Sequence, residues 1–600
     1  MLPATVLLAG WLLADCLAHE HQVPFRYQDG PFIAAPTRPL VWGDINIIHT
    51  TDTHGWLSGH LKDTAPEPNY SGDIGMLSSF VSHLKAEAEE RNVDLLMVDS
   101  GDLHDGNGLT DGFPVGGIDG HEALKLFRRL PYDVMAIGNH ELYKYEVAYD
   151  MYKNFAPKLH GRYLTSNVNI TVEESGQLIN VPIGDRFSKF QTRLGRNITA
   201  FGVLFDFQLN SINTTIQSPA DMVQESWFKD AIAEEPDLFL LVGHMAIQPG
   251  SRWPVVFEAI RAVHPLTPIA IFGGHTHIRD CVQLDSRSMS LESGQFMETL
   301  GWMSLKFESD QVAFTRRYLD ANMVTYAYHT GKHGEDFHTK EGKDITTGIQ
   351  TLSNAFNLSY QFGIAPQDYF KQRVPTSSSS SVINLFASQV LPTTLKLSST
   401  RGDIPAMFVA NSGVLRYDVF KGSFTRNDQY IVSPFQNTFE YVQNISRSVA
   451  AQVVDELNRS GLPSLEKLYS ENTSIDQADP FEVYSRWLQG QWERWNSEPS
   501  SSTENLTLGY VTTDACPGAG DDVPHQPVPH YPLPPFIGSD LPNTDYMDLV
   551  FVSFIRDSVL IVINEINAGN VPNVTDADVK PYTQLAVDNV FGLYASMVWS

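Results

Sequence analysis

The chain has 600 residues, 42% of them hydrophobic and 18% charged, with a formal net charge of −29. That length supplies core for two to four domains of roughly 150 residues each, so stability need not rest on staples. The acidity argues against nucleic-acid polymers and anionic membrane surfaces as partners, because both demand a basic face.

Taken in order, residues 1–18 are expected to form a signal peptide: an apolar run from Val6 to Leu13, then Cys16-Leu17-Ala18 with small residues suited to cleavage after Ala18, although no Lys or Arg precedes the run. About ten Asn-x-Ser/Thr triplets follow, at Asn69, Asn169, Asn197, Asn213, Asn357, Asn444, Asn458, Asn472, Asn505 and Asn573. Together these point to the secretory pathway and a glycoprotein, extracellular or vacuolar. No later stretch reads as a transmembrane span. Leu549 to Ile563 is interrupted by Arg556 and Asp557 and reads as a buried helix, and Asp588 spoils the tail as a lipid-anchor signal.

From Asp44 to about Phe314, β-like runs alternate with helix-like stretches, the pattern of an α/β domain. The runs Ile45–Ile48, Leu95–Val98, Val134–Ile137, Leu238–Val242 and Ile269–Phe272 each lead into a polar cluster. Those clusters are Asp52-Thr53-His54, Gly101-Asp102, Gly138-Asn139-His140-Glu141, Gly243-His244 and Gly274-His275-Thr276-His277. Loops beyond the carboxyl ends of neighbouring strands can converge. Any one Gly-His or Gly-Asp pair is ordinarily just a loop; five such pairs at five strand ends are not.

Asp52, His54, Asp102, Asn139, His244, His275 and His277 are too many ligands for one tetrahedral ion and suit two borderline divalent metals sharing a carboxylate. Zinc, manganese, iron and cobalt all fit that donor set. Asp102 follows a glycine that permits a sharp turn, and its carboxylate can bridge two cations. Asn139 supplies a neutral oxygen, which limits ligand charge and keeps the ions Lewis acidic. His60 and His104, near the same loops, are expected to be structural.

The polar stretch from Thr330 to Lys343 leads into a connector, placed at 326–365. A second apolar unit, 366–600, includes Val382 to Val390, Ala406 to Asn411 and Tyr430 to Leu457. Within it Ser377 to Ser381 reads as a turn, and the proline-rich Asp521 to Pro535 as an extended surface loop. With the leader removed, Cys281 and Cys516 remain, either bridged or as two buried thiols.

The five clusters in this order resemble the calcineurin-like metallophosphoesterases. The resemblance implies an α/β/β/α sandwich over residues 42–325. One metal would lie on Asp52, His54, Asp102 and His277 and the other on Asp102, Asn139, His244 and His275, with in-line attack by a metal-bridging hydroxide. His140, beside a ligand but free of the metals, would stabilise or protonate the departing oxygen. Asn411-Ser412-Gly413-Val414-Leu415-Arg416, Gly422-Ser423-Phe424-Thr425 and Ser433-Pro434-Phe435-Gln436-Asn437-Thr438-Phe439 are similar to the C-terminal α/β substrate domain of 5'-nucleotidases. By that likeness Arg416 would contact phosphate or ribose, Asn411 the base or sugar, and Phe435 would stack on the base.

The chain departs from that pattern. Where nucleotidases carry an Asp to orient the catalytic His, this run has Tyr143, so another carboxylate must orient His140 or turnover is reduced. If Ala519-Gly520-Asp521-Asp522 matches the family's G-G-D-G turn, Asp521 joins the substrate site and Ala515 replaces the second stacking aromatic. Ser388 replaces an Asp in Asn384-Leu385-Phe386-Ala387-Ser388, and Arg373 is a weak candidate for phosphate. A Cys281–Cys516 bridge would tie the substrate lobe beside the metals.

The expected activity is hydrolysis of nucleoside 5'-monophosphates or related small phosphoesters. The alternatives are cyclic-nucleotide, dinucleotide or UDP-sugar hydrolysis, or a catalytically weak metal- and nucleotide-binding protein.

Overall fold

A computed structural model of the protein describes residues 33–308, 311–460, 474–497, 506–567 and 573–600. The expected signal peptide, Asn472 and Asn505 lie outside the described residues. Two large sheets form the centre of the first lobe. One has seven strands in the order Gly518–Asp521, Val312–Asp320, Thr299–Phe307, Ile45–Thr50, Asp94–Asp99, Val134–Ala136, Tyr163–Leu164. The other has six, in the order Arg279–Val282, Ser288–Ser293, Ile269–Phe272, Leu238–His244, Asn197–Leu204, Phe187–Gln191.

The strands Ile45–Thr50, Asp94–Asp99 and Leu238–His244 are buried on both faces, which requires cover on both. Ile45, Ile47, Leu96 and Val98 meet Leu240, Val242, Ala270 and Phe272 between the sheets. The opposite faces, through Ile48 and Met97 on one sheet and Leu241 and Ile271 on the other, pack under helices Ile74–Arg91 and Trp253–Val263. The result is the α/β/β/α sandwich. Ile45–Thr50, Asp94–Asp99 and Val134–Ala136 run parallel, as do Leu238–His244 and Ile269–Phe272, so the loops bearing the clusters leave their sheets from common edges.

The second lobe is a five-stranded mixed sheet, Phe536–Gly538, Ala406–Asn411, Tyr546–Val552, Thr438–Ser446, Lys580–Ala586. Its strands alternate between two cores. Phe408, Ala410, Val550 and Val552 face Leu391, Val590 and Phe591, whereas Met407, Val409, Leu549 and Phe551 face Val453, Val559 and Ile563. Leu549–Ile563 is therefore not one helix. Its apolar start is the central strand Tyr546–Val552, and Arg556, paired with Glu440, opens helix Arg556–Ile566.

Between the lobes, residues 326–365 hold helix Lys340–Ala355, which buries Ile345 and Ile349 in the first lobe's core. After the second lobe has begun, the chain returns: Asp476, Tyr510 and His525 hydrogen-bond to Ala246, Glu298 and Asp320 of the first lobe, and Gly518–Asp521 adds a parallel edge strand to its seven-stranded sheet. The segment expected as a surface loop is consequently built in, with Asp522, His525 and His530 buried. Cys281 and Cys516 are bridged, between the strand Arg279–Val282 and this returning segment. Of the triplet asparagines, Asn197, Asn213, Asn357, Asn444 and Asn573 are exposed. Asn69 is buried and donates to the Leu508 carbonyl, which removes it as a glycan acceptor in the folded chain. No helix among the described residues is long and apolar enough to cross a membrane.

Candidate metal centre and active site

The cluster loops turn so sharply that Asp52, His54, Asp102, Asp105, His275 and His277 all have positive φ, between 44° and 79°. Such backbone is costly for residues with a Cβ and gathers where side chains must be aimed. Gly138 shows how closely the loops meet, because a Cβ there would stand 2.1 Å from Asp102 Oδ1. Glu141 clamps them: its carboxylate accepts from the backbone N–H groups of Asp102, Leu103 and Gly138 and pairs with His104 Nδ1 at 2.8 Å.

Six of the seven predicted ligands come together in two adjoining groups, Asp52 with His54 and His277, and Asp102 with His244 and His275. In the first, His54 Nε2 and His277 Nε2 face each other at 3.3 Å, and Asp52 Oδ1 lies 3.3 Å from His277 Nε2. In the second, His244 Nε2 lies 2.9 Å from Asp102 Oδ2. That same carboxylate oxygen is 3.9 Å from His54 Nε2, which places Asp102 between the groups.

The remaining ring nitrogens of three of the four imidazoles are fixed by carbonyl oxygens, His54 Nδ1 by His104, His244 Nδ1 by Ser100 and His275 Nε2 by Asp476, whereas His277 Nδ1 is buried without a partner. This is how imidazole ligands are oriented and their tautomers set. Asn139 gives its amide N–H to the Tyr143 hydroxyl, and its Oδ1 is buried with no partner. An orphaned buried acceptor beside these imidazoles and carboxylates is what a cation would satisfy.

The electrostatics agree. Burial pushes His275 down to about 3, with His244 contributing, and pushes His54 well below the ordinary imidazole range, so both are neutral donors. Burial opposes ionisation of Asp102, but His244 and His140 outweigh it and hold its carboxyl well below the usual range. The residues present fit divalent metal ions.

His140 stands at the rim, its Nε2 3.9 Å from Asp102 Oδ2. The carboxylate that Tyr143 cannot supply comes from Asp105, whose Oδ2 lies 2.7 Å from His140 Nδ1. Only its place three residues after Asp102 hinted at this. Tyr143 instead sets its ring edge-on to His140 at 5.0 Å and positions Asn139.

Across the cleft, Arg416 is buried with Nε and Nη2 unpartnered, and Asn411 Oδ1 is likewise unsatisfied. The Arg416 guanidinium carbon lies 5.7 Å from the Phe435 ring centre and 4.6 Å from that of Phe481. Phe481 and Tyr484 belong to helix Pro480–Ser497 of the returning segment and also approach His277. With Lys371, Tyr417, His530 and Arg416 they line a cavity of about 110 Å³. No sequence signal marked Phe481, since only the return of the chain brings it here.

The other candidates lie apart or are spent. Asp521 pairs with Arg279 and accepts from the Thr512 N–H, Arg373 pairs with Asp418, and His60 with Glu67.

Comparison with known proteins accords with this geometry. Residues 45–279 match the family described as calcineurin-like phosphoesterase, and residues 368–560 the NAD nucleotidase C-terminal domain. A secreted protein of Arthroderma benhamiae is 34% identical, over 94% of this chain and 92% of its own. The crystal structure of a 5'-nucleotidase from Candida albicans is 32% identical and superposes with a TM-score of 0.80, over 94% of this chain and all of that one. A Thermus thermophilus 5'-nucleotidase precursor, 13% identical, shares the fold at a TM-score of 0.54, over 92% of this chain and 96% of its own. The chain is a metal-dependent phosphoester hydrolase, a divergent member of the 5'-nucleotidase family within the calcineurin-like metallophosphoesterases.

Proposed function

We propose that the protein releases phosphate from nucleoside 5'-monophosphates or closely related small phosphoesters along the secretory route. One observation carries the substrate class: the unpaired, buried Arg416 guanidinium, set between two aromatic rings and opposite the metal-ligand cluster. A buried cation without a partner is costly, and a phosphate oxygen would supply the missing acceptor. Phe435 and Phe481 offer flat apolar faces to a base, and Asn411 Oδ1 accepts a hydrogen bond from base or ribose.

Asp52, His54, Asp102 and His277 would hold one metal, and Asp102, Asn139, His244 and His275 the second. When bound, two divalent ions supply Lewis acidity and a water acidic enough to act near neutral pH. The side chains do the rest. Asp105 takes the Nδ1 hydrogen of His140 and fixes the ring, so that Nε2 can hold a proton for the departing oxygen. Arg416 fixes the phosphoryl group from the opposite side, and Asp102 keeps the two ligand groups in register.

The match of residues 368–560 to an NAD nucleotidase domain favours dinucleotides as the second reading. A panel of AMP, other nucleotides, cyclic nucleotides, NAD and aryl phosphates, with His140→Ala as control, tests both. Highest kcat/KM on nucleoside monophosphates is expected. Cleavage of aryl phosphates without nucleotide discrimination would sink the assignment, and preference for NAD would install the second reading.

A further inference from the structure

Behind the Asp105–His140 pair lies a group of carboxylates that the phosphoester chemistry leaves unused. One oxygen from each of Asp105, Asp111 and Asp119 lies within 4.8 Å of the others. Asp111 and Asp119 are only 5% and 4% exposed. Asp111 Oδ2 is engaged by the N–H groups of Gly106 and Asn107 and by the Thr110 hydroxyl, and Asp105 Oδ2 by His140. Asp119 has no such occupation: its Oδ1 is fully enclosed and without a hydrogen-bond partner.

Three carboxylates this close repel strongly away from bulk water, and an unpaired buried anion is among the most costly groups in a fold. Positive groups acting on them are Lys144, Arg416 toward Asp105 and Asp111, and His104, whose charge Glu141 already pairs; three carboxylates against Lys144 and Arg416 leave the group net negative. Without further positive charge, burial and Asp105 push Asp119 up to about 6, while burial and Asp119 push Asp111 well above the carboxylate range.

We infer that Asp105, Asp111 and Asp119 form a third cation site, distinct from the metal pair, that takes a hard divalent ion with calcium the best fit. The donor set is all oxygen, unlike the imidazole-rich pair, and so selects calcium or magnesium over zinc. Calcium accepts roughly six to eight oxygen ligands in a flexible shell, whereas magnesium demands near-ideal octahedral geometry and keeps several waters, so a buried triad partly held by backbone N–H groups suits calcium better. Asp105 would then serve two partners, one oxygen on His140 and the other on the cation. The ion would brace the loop that positions the catalytic imidazole.

The test uses the full chain carrying its transition metals, freed of calcium with a weak chelator and then titrated with CaCl2. Equilibrium dialysis should find one calcium per chain beyond the transition metals, and the melting temperature should rise by about 2 °C or more at saturation. Asp119→Asn should weaken calcium binding at least tenfold and remove the thermal shift while leaving the transition-metal content unchanged. In calcium-free buffer it should melt at or above the wild type, because one of three repelling charges is gone. Asp111→Asn, read the same way, keeps the question open to decision if Asp119→Asn misfolds. A wild-type chain that takes up no calcium would overturn the inference, as would variants that bind it as tightly as the wild type.

Discussion

The two walls of the cleft are built on different terms. The metal-side wall comes from one lobe, within residues 52–277, on loops that leave neighbouring strand ends and are clamped by Glu141. The opposite wall is a composite: Arg416 and Phe435 come from the second lobe, and Phe481 and Tyr484 from a helix of the returning segment. In the first wall three of the four imidazoles are held from behind by carbonyl oxygens; the second keeps a cation and an acceptor unpaired. A wall of the first kind should set kcat for any phosphoester, and one of the second kind should set KM for nucleotides.

That contrast can be broken. The largest effect belongs to His140→Ala, expected to lower kcat by about 10²- to 10⁴-fold on AMP and aryl phosphate alike. A loss confined to one substrate would break the division. Arg416→Ala should raise KM for AMP by about 10- to 100-fold, the scale of a lost charge-assisted hydrogen bond. If kcat fell instead with KM unchanged, Arg416 would belong with the chemical wall. Asp105→Asn should cost about tenfold in kcat, as losing an orienting partner commonly does, with KM held. Phe481→Ala should raise KM about fivefold for nucleotides and leave aryl phosphates untouched, which steady-state kinetics on the two substrates would check.

The smallest effect concerns Lys371, which burial, aided by Arg416, pushes down to about 7. Because its folded value lies below the unfolded one near 10.4, the folded chain resists holding that proton. Its destabilising contribution is complete below about pH 7 and fades as pH rises toward 10.4. Lys371→Met should therefore raise the melting temperature more at pH 6 than at pH 9. An equal rise at both would show that the ammonium is not strained.

How much of this was legible in the sequence follows the same divide. The five strand-end clusters could be read because each pairs a hydrophobic run with a local motif, and local order is what a sequence displays. Asp105 was half legible: Tyr143 declared an orienting acid missing, and the acid lay in the Asp102 loop, without a motif to mark it. Phe481 was illegible, because its place depends on a chain return that residue spacing does not encode. The Asp521 expectation followed motif likeness into a segment that forms an edge strand of the first lobe, where Arg279 and Thr512 occupy it. Leu549–Ile563 read as a helix because a buried strand carries no polar alternation to betray it.

The Cys281–Cys516 bridge closes a covalent ring across a sequence separation of 235, with two free arms. Arg416 and Phe435 lie on that ring, as does the helix bearing Phe481, whereas the loops carrying Asp52, Asp102 and Asn139 lie on the amino-terminal arm. A protease that cuts once within the ring therefore releases nothing: the product migrates as one species until a reductant is added and then separates into two. A cut on the amino-terminal arm beyond the Asp102 loop frees a fragment at once, apart from noncovalent packing, and takes Asp52, His54 and Asp102 with it.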